Sequence, residues 1–360
     1  MKIDITRSFF RWYLSGKKPY QKQIKINAIK TILIMSNTAI GDSLFSTPAI
    51  RLIKENYPNK KVIVLLNPKN YLLFDNNPYI DKVILYSGKW KHFIRTLFEL
   101  RRLNIDLALI MHSNEPQATP LVYCAGIKYI IKIPNDQNEF NFLHYNPVTE
   151  PNRNEHFIDR RLRQLEYIDI FTKSYRMDIF QKAEWRKYIK GMLKEDVVNI
   201  GFQIGASTLS RMWFVEKWIE LARLLLNYDK NWNIVLTGSK IDKTSSISIS
   251  SALNNDRVVD LTGRLDLGSA SALIAKLDLL ITPDTGPLHI AAAMKTPTIA
   301  ISVAGRALES NPKSEDIKHI FIQKQITCEP CVDKKCEYQK CMLQITPSEV
   351  FDQVLNIIEF

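Results

Sequence analysis

The stretch LLITPDTGPLHIAAA, residues 279–293, runs from apolar residues through a turn into an alanine-rich segment. Its first four residues predict a buried strand, and Gly286 followed by Pro287 is typical of a turn that leads into the first position of a helix. The N–H groups and the dipole at such a helix start favour a negatively charged group, above all a pyrophosphate. A strand, a turn and a helix in this order indicate a parallel sheet covered by helices.

The alternation of strands and helices continues outward from this stretch in both directions. Short β-branched runs predict a series of strands, and helical periodicity predicts helices at 155–171 and 215–227. The polar, proline-containing segment 134–154 predicts a long surface loop. The fold class is therefore α/β, with two Rossmann-like, doubly wound halves. The predicted strands are 31–35, 61–66, 82–86, 105–110, 127–132, 197–204, 233–237, 279–282 and 298–303.

The length of 360 residues allows two domains, because globular domains usually contain about 100 to 200 residues. We place the connection between them in the charged, weakly periodic segment 172–195. A final helix is predicted from Thr346 as cap, Pro347 in the first turn and Glu349 as capping-box partner. The predicted parts are a basic N-terminal extension (1–28), a first Rossmann-like domain (29–180), a second one with a cysteine cluster (181–345) and a C-terminal helix (346–360).

Lysine and arginine outnumber aspartate and glutamate by 49 to 37, a formal net charge of +12. This excess indicates an anionic partner such as nucleic acid, phosphorylated sugar or an acidic membrane surface, although a basic composition without meaning for binding is an equally good interpretation. Residues 1–18 interleave aromatic and basic side chains, which predicts either a segment resting on anionic lipid or a helix packed on the protein itself. The sequence contains neither a signal-peptide core nor an apolar run of about 18 residues, so we expect a cytoplasmic protein.

A carboxylate follows the first predicted strand, in SNTAIGDSLFSTPAI, residues 36–50. Gly41 permits a tight turn, and Asp42 falls where a helix begins. Asp42 is either a helix cap, which stabilises a helix by about 1 kcal/mol, or a group that does chemistry at the carboxyl edge of the sheet, where ligands of such folds bind. Both interpretations are open at this level.

Turns of the second half carry groups that suit a nucleotide. Residues 205–208 offer small side chains and hydroxyls after a strand, and Arg211 adds a cation; this set can hold a phosphate, although the spacing of a Walker loop is missing. Asp242 follows the next strand and can accept hydrogen bonds from a ribose. His289 lies in the first turn of the helix after Pro287, where a neutral imidazole can donate a hydrogen bond. Ordinary polar loops and a structural histidine are the alternatives.

Four of the five cysteines are crowded near the end of the sequence in a C-x2-C-x4-C-x4-C pattern. In a reducing compartment this density favours a tetrathiolate site for structural zinc, or for iron, over two disulfides, which would require oxidation. The candidate ligands are Cys328, Cys331, Cys336 and Cys341.

Five segments resemble, in order, the successive motifs of glycosyltransferase family 9, the ADP-heptose heptosyltransferases of lipopolysaccharide core assembly. The resemblance extends over residues 31–358, and the D-T-G-P-x-H turn at 284–289 is its most specific element. The segments are ILIMSNTAIGDSLFSTPAIRLIKENYP, GASTLSRMWFVEKWIELARLL, NIVLTGSKID, LTGRLDLGSASALIAKLDLLITPDTGPLHIAAAMKTPTIAI and CEPCVDKKCEYQKCMLQITPSEV.

The resemblance implies a GT-B architecture of two Rossmann-like domains facing a cleft, inversion at the anomeric carbon and no catalytic metal. It implies that Asp42 is the general base and that the cysteine cluster is structural. Lysine is usual in the family where this chain has Arg211, and glutamate is common where it has Asp242. The implied donor-binding residues are Thr208, Arg211, Asp242, Asp284, Thr285, Gly286 and His289, and Thr38 and Ala39 lie on the acceptor side.

The resulting hypothesis is an inverting glycosyltransferase that transfers heptose from ADP-heptose to the inner core of lipopolysaccharide, in the cytoplasm or peripherally on the cytoplasmic face of the inner membrane. A related enzyme that uses another nucleotide sugar, or a protein or capsule acceptor, is the first alternative. A basic nucleic-acid-binding protein is a remote alternative, since no helix-turn-helix pattern is evident and no arginine-rich helix adjoins the cysteines.

Overall fold

The computed structural model divides into two α/β units, Met1–Phe180 and Gln181–Phe360. Each unit has its own parallel sheet and its own apolar core. The residues that the structure describes are 5–114, 116–133, 138–146, 155–172, 174–302, 307–314, 316–325, 328, 336–337 and 339–359.

The first unit is built around a five-stranded sheet. Its elements are α1 (Ile5–Leu14), β1 (Thr31–Ser36), α2 (Ile40–Leu44), α3 (Thr47–Asn56), β2 (Lys61–Leu66), β3 (Lys82–Leu85), α4 (Phe93–Arg101), β4 (Leu107–His112), α5 (Ala118–Cys124), β5 (Tyr129–Lys132) and α6 (Phe157–Leu162). The strands are parallel, in the order β3-β2-β1-β4-β5. Strand addition reverses direction between β1 and β4, and at such a point the loops at the carboxyl ends of the two strands leave a crevice for a ligand.

The second unit repeats this plan with six strands. Its elements are α7 (Ala183–Ile189), β6 (Val198–Gln203), α8 (Val215–Tyr228), β7 (Trp232–Thr237), α9 (Lys243–Leu253), β8 (Val258–Asp260), α10 (Leu267–Ile274), β9 (Leu279–Pro283), α11 (Gly286–Ala293), β10 (Thr298–Ser302), α12 (Ala307–Ser310), β11 (His319–Gln323), α13 (Lys340–Gln344) and α14 (Pro347–Ile358). The strands are parallel, in the order β11-β10-β9-β6-β7-β8. Here the reversal lies between β6 and β9.

Burial of the central strands holds the carboxyl edges of both sheets in place. Every residue of β1 and of β9 is buried. Leu33 and Ile63 share the core of the first unit, and Phe202 and Ile281 share that of the second. Burying one such side chain contributes about 1.5 to 3 kcal/mol. The loops that follow these strands therefore start from rigid positions.

The predicted strands are all present, with ends that differ from the prediction by two residues or fewer. The prediction overlooked β8 and β11. It was wrong for residues 138–146, which were assigned to a surface loop; Asn138 and His144 are each 3% exposed, and the Tyr145 N–H donates to the Ile130 carbonyl at 2.7 Å. The rest of that predicted loop, 134–137 and 147–154, lies outside the described residues.

The predicted helices are present with one change of type. Residues 157–162 form α6, and the chain then tightens into a 3-10 turn, Arg163–Ile168. At the start of α14, the Thr346 hydroxyl accepts a hydrogen bond from the Glu349 N–H at 3.2 Å, as the cap prediction requires. None of the helices formed by the described residues has the length and hydropathy of a membrane span.

Candidate active site

Asp42 lies in the first turn of α2, shortly after β1. Its Oδ2 accepts a hydrogen bond from Thr38 Oγ1 at 3.2 Å and lies 3.7 Å from His112 Nδ1. Its Oδ1 lies 3.4 Å from Arg161 Nη2. The side chain is 23% exposed. The carboxylate thus contacts three polar groups outside its own helix and keeps part of its surface open.

Arg161 of α6 is buried beside this carboxylate, with 3% of its side chain exposed. Its guanidinium donates to Ser46 Oγ at 3.2 Å, to the Phe157 carbonyl at 2.8 Å and to the Asp42 carbonyl at 3.2 Å. Burial lowers the pKa of Arg161 to about 10, an effect that Asp42 opposes, so the side chain is a cation at neutral pH. A buried cation needs a negative charge close by, and Arg161 in turn favours the ionised form of Asp42 that a general base requires.

His112, the last residue of β4, lies at the point where strand addition reverses. Its Nδ1 is 2.7 Å from Thr38 Oγ1 in the loop after β1. Although 48% of the side-chain surface is open to solvent, the surrounding protein desolvates the ring and lowers the pKa of His112 to about 4, with Asp42 acting in the opposite direction. The imidazole is therefore neutral at pH 7. Because the single Thr38 hydroxyl proton is donated to Asp42 Oδ2, the tautomer that fits is the one in which His112 Nδ1–H donates to the Thr38 oxygen.

Thr38 and Ala39, predicted on the acceptor side, form the loop between β1 and α2. Asn70 is buried, and its Nδ2 donates to the carbonyls of Thr38 and Ala39 at 3.1 and 3.3 Å and to Ser43 Oγ at 2.8 Å. One amide group therefore holds three points around Asp42. Ala39 is exposed and Thr38 partly exposed, so both are accessible to a ligand.

His112 and Arg161 were not predicted from the sequence. A signal for His112 exists, because it ends a strand, and the carboxyl ends of strands are where ligands of this fold collect. Arg161 has no such signal, since it is one of several basic residues in the helical segment 155–171. Only its contacts with Ser46 and Asp42 distinguish Arg161 from its neighbours.

The turn after β9 leads into α11 in the second unit. Thr285 is the N-cap residue, Gly286 is the first helical residue and Pro287 lies in the first turn. Residues 284–287 are partly exposed, whereas His289 is buried, with 6% exposure. The start of α11, with its backbone N–H groups and the positive end of its dipole, is thus accessible to an anion.

Arg211 joins the loop after β6 to the turn after β9. Its Nη1 donates to the Asp284 carbonyl at 3.0 Å. Thr208 lies earlier in the same loop, and its hydroxyl shares a hydrogen bond of 3.1 Å with Ser210. Because β6 and β9 are adjacent strands, the structure brings these predicted donor-side residues to the edge where open parallel sheets bind ligands.

Asp242 makes its contacts within the second unit's own loops. Its Oδ2 accepts from the N–H and the hydroxyl of Ser239, both at 2.7 Å, in a capping box on the 3-10 turn Lys240–Asp242. A Cβ atom at Gly205 would lie 2.2 Å from Asp242 Oδ2, so the glycine lets the loop after β6 pack on this carboxylate. Asp242 is 8% exposed. These contacts give it a structural part, and its part in binding a ribose stays a prediction.

Residues 94–342 match the family model of Glycosyltransferase family 9 (heptosyltransferase). The chain belongs to glycosyltransferase family 9. This match confirms the resemblance seen in the sequence and makes the protein a glycosyltransferase, which favours the enzyme over the nucleic-acid-binding alternative. The two parallel α/β units agree with the GT-B fold of this family.

Full-length comparisons agree with the assignment to family 9. Lipooligosaccharide heptosyltransferase 2 of Campylobacter jejuni subsp. jejuni serotype O:2 is 25% identical over 338 residues, which covers 91% of this chain and 98% of the relative. The structure of the ADP-heptose LPS heptosyltransferase II of E. coli matches with a TM-score of 0.75 at 22% identity, covering 91% of this chain and 98% of the other. A third match is the structure of the dodecameric iron-containing heptosyltransferase TibC of enterotoxigenic E. coli in complex with ADP-D-β-D-heptose. Its TM-score is 0.55 at 11% identity, and the match covers 94% of this chain and 78% of the other.

Three of the four candidate metal ligands of this family 9 protein are among the described residues. Cys328, Cys336 and Cys341 are free thiols, and Cys331 lies outside the described residues. Across the ranges that the structure describes, no group of three or more His, Cys, Asp or Glu side chains is arranged to hold a metal ion. Metal binding by the cysteines therefore stays a prediction.

Gln339, which lies between Cys336 and Cys341, contacts the Arg211 loop. Gln339 Nε2 donates to the carbonyls of Leu209 at 2.5 Å and Met212 at 2.8 Å, on either side of Arg211. Gln339 is 8% exposed, so water competes little for these hydrogen bonds. One buried amide thus holds both ends of the short turn that carries a candidate donor-binding cation.

Proposed function

We propose that this family 9 glycosyltransferase transfers heptose from ADP-heptose to the inner core of lipopolysaccharide, with inversion at the anomeric carbon. The full-length similarity to a lipooligosaccharide heptosyltransferase supports the acceptor class, and the similar structure in complex with ADP-D-β-D-heptose supports the donor. The observation that carries the proposal is the Asp42 carboxylate, which is partly open and adjoins the buried cation of Arg161.

Asp42 is the general base of the proposed reaction. It accepts the proton of an acceptor hydroxyl while that oxygen bonds to the anomeric carbon of the heptose, and the bond from this carbon to the β-phosphate oxygen breaks with its electron pair leaving on ADP. Attack from the face opposite to ADP inverts the configuration. Thr38 and Ala39 border the acceptor, and His112 orients the Thr38 hydroxyl next to the base.

The second unit supplies the groups that bind the donor. The Arg211 cation, the Thr208 hydroxyl and the N–H groups at the start of α11 offset the negative charge that builds up on departing ADP. An arginine in place of the usual lysine can donate two hydrogen bonds in one plane, and the bond from Nη1 to the Asp284 carbonyl fixes its direction. In this proposal Asp284, Thr285, Gly286 and His289 form the diphosphate turn, and Asp242 shapes the loop next to the ribose.

The acceptor places the proposed reaction at the cytoplasmic face of the inner membrane. The inner core of lipopolysaccharide is attached to a lipid and carries phosphate and carboxylate groups. The formal net charge of +12 suits an acceptor of this kind, because a positive field raises the local concentration of anionic substrates and their rate of association.

The donor assignment is tested by incubating the purified protein with ADP-heptose and a panel of truncated lipid A core acceptors, followed by mass spectrometry of the products. We expect one heptose to be added to one of these acceptors, with release of ADP. Transfer from UDP-sugars alone would overturn the donor, and transfer from ADP-heptose only to a protein or capsule fragment would overturn the acceptor.

We also propose that the cysteine cluster is a structural site for zinc or iron. The described cysteines are thiols, the form from which metal thiolates are made, and one similar structure is named as iron-containing. Metal analysis of the purified protein is expected to find about one zinc or iron per chain. Cys336→Ser should remove this metal, and Cys124→Ser, in the first unit, should not. A metal-free wild type contradicts the assignment.

A further inference from the structure

Helix α1 is attached to the core of the first unit along one side. Phe10 and Leu14 are buried, with 7% and 0% exposure. The Phe10 ring stacks on Trp90 at a centroid distance of 5.2 Å and lies 4.9 Å from the ring of Phe93 in α4. Because these contacts hold α1 against the unit, the helix presents its other sides in a defined orientation.

Two ion pairs fix the rotation of α1 about its axis. The Glu139 carboxylate pairs with Arg7 and with Arg11, the latter at 2.6 Å from Nε to Oε2. Residues four apart lie on the same side of a helix, so both arginines occupy the flank that faces Glu139. The inner side of α1 and this flank are both engaged, which leaves the opposite flank facing away from the core.

That outward flank carries three aromatic rings. Phe9, Trp12 and Tyr13 are 51%, 75% and 48% exposed. The Phe9 ring stacks on Tyr13 with centroids 5.9 Å apart and planes at 7°, and it lies 6.1 Å from the ring of Trp12. Three adjoining aromatic rings in water are unusual for a surface without a partner, and such clusters mark interaction sites.

Helix α4 exposes two further apolar side chains. Ile94 and Phe98 are 59% and 54% exposed. The buried residues Phe93 and Leu97 of this helix belong to the same core cluster as Phe10, so α1 and α4 cover one core and expose their other sides. We refer to the three adjoining rings of α1, Phe9, Trp12 and Tyr13, as the aromatic face.

The charges near the aromatic face identify its partner. The sequence from 5 to 22 contains no acidic residue, and Glu99 is the only acidic residue in the sequence from 89 to 102. A second copy of this chain would bring equal positive charges together, which disfavours self-association, whereas anionic lipid complements them. Tryptophan and tyrosine also favour the interface between lipid and water. Exposed basic residues in these two ranges include Lys17, Lys18, Lys91, Arg95, Arg101 and Arg102.

We propose that the aromatic face is a docking surface for a bilayer that contains anionic lipid. The rings enter the headgroup region, and the basic side chains around them contact lipid phosphates. The proposed function enters this inference at one point: it identifies the membrane as the one that holds the lipid-linked acceptor. Binding to vesicles needs no sugar and is measured separately.

The experiment is co-sedimentation of the full chain with vesicles of phosphatidylcholine alone or mixed with phosphatidylglycerol. We expect binding to the mixed vesicles that weakens at high salt, and a blue shift of tryptophan fluorescence on binding. The double variant Phe9→Ser, Trp12→Ser should bind these vesicles at least about tenfold more weakly than the wild type. Phe171→Ser is the matched control, since Phe171 is 76% exposed, like Trp12, but lies outside the aromatic face.

Circular dichroism and transfer to a water-soluble acceptor fragment check that the double variant is folded and active. Failure of transfer in every protein would refute the proposed function and leave the vesicle result interpretable. Equal vesicle binding by the wild type and the double variant, or no binding by the wild type, would overturn the docking surface. So would a wild-type dimer that the double variant converts to a monomer, because the aromatic face would then be an interface between copies.

Discussion

Asp42 lies between the buried cation of Arg161 and the hydroxyl of Thr38, which also hydrogen-bonds to the neutral imidazole of His112. Arg161 favours the ionised carboxylate, because a guanidinium with 3% exposure has little water to screen its charge. Thr38 bonds to Asp42 Oδ2 and to His112 Nδ1, so its oxygen is held from two sides. The three neighbours come from a loop, a strand end and a helix, and together they make a helix-terminal aspartate suitable as a base.

Asp42→Asn is expected to lower the rate of sugar transfer by about 10² to 10⁴, the usual contribution of general acid–base catalysis. ADP binding should persist, because the proposed donor-binding groups belong to the second unit. Asp256→Asn is the control, since that carboxylate is 90% exposed. Transfer rates and titration calorimetry with ADP measure the two effects. A wild-type rate in Asp42→Asn would refute the assignment of the base.

The short turn Leu209–Arg211 is held by a residue from a distant part of the sequence. Three residues of 3-10 helix have little stability of their own. Gln339, next to α13, bonds to the carbonyls at both ends of the turn. Near by, Lys217 Nζ donates to the carbonyls of Leu343 at 2.5 Å and Ile345 at 2.6 Å, which fixes the same segment to α8. The position of Arg211 therefore depends on an element more than 120 residues later in the sequence.

Gln339→Ala removes both hydrogen bonds to this turn. We expect ADP to bind up to about thirtyfold more weakly, since the two bonds contribute about 1 kcal/mol each, while Asp42, the proposed base in the first unit, is untouched. Gln344→Ala is the matched control, because Gln344 is exposed at the end of α13. Titration calorimetry with ADP distinguishes the two variants. Equal ADP affinity in Gln339→Ala and the wild type would show that the turn holds itself.

For the whole molecule, buried histidines set the acid limit of stability. His144 is 3% exposed in the first unit, and burial lowers its pKa to about 3, while burial of His319 in the second unit lowers its pKa to about 4. Unfolded histidines titrate near pH 6.5, so below that pH the unfolded chain binds more protons than the folded one. Stability therefore falls as the pH drops from about 6.5 toward 4, by up to about 1.4 kcal/mol per pH unit for each residue.

His144→Gln should make the free energy of unfolding less dependent on pH between 6.5 and 4. A glutamine can keep the bond to Thr119 Oγ1, which lies 3.0 Å from His144 Nε2, without titrating. His92→Gln, at an exposed site, should leave the slope unchanged. Urea unfolding at pH 7, 6 and 5 gives these slopes. An unchanged slope in His144→Gln would mean that this residue is not protonated on unfolding.

Both sheets were predictable because strands buried on both faces are continuous apolar runs. The strands β8 and β11 were overlooked because they lie at the edges of the sheet, where most of their residues are only half-buried and the apolar pattern is weak. In addition, β8 is only three residues long. The burial of 138–146 was not predictable from its polar composition. Asn138 Nδ2 donates to Thr119 Oγ1 of α5 at 3.2 Å, 19 residues earlier in the sequence. Hydrogen bonds to another element make it possible to bury polar side chains, and the local sequence does not reveal them.

The sequence by itself determined the α/β class, the order of strands and helices, and the turn at Gly286, since periodicity and backbone preference are local properties. Only the tertiary structure decided which side chains meet. Arg161 reaches Asp42 across 119 positions of the sequence, and Arg211 reaches the Asp284 carbonyl across 73. The second pair forms because β6 and β9 are adjacent parallel strands, which bring the loops at their carboxyl ends to one edge of the sheet. The first pair depends on where helix α6 packs, and no local rule of the sequence specifies that position.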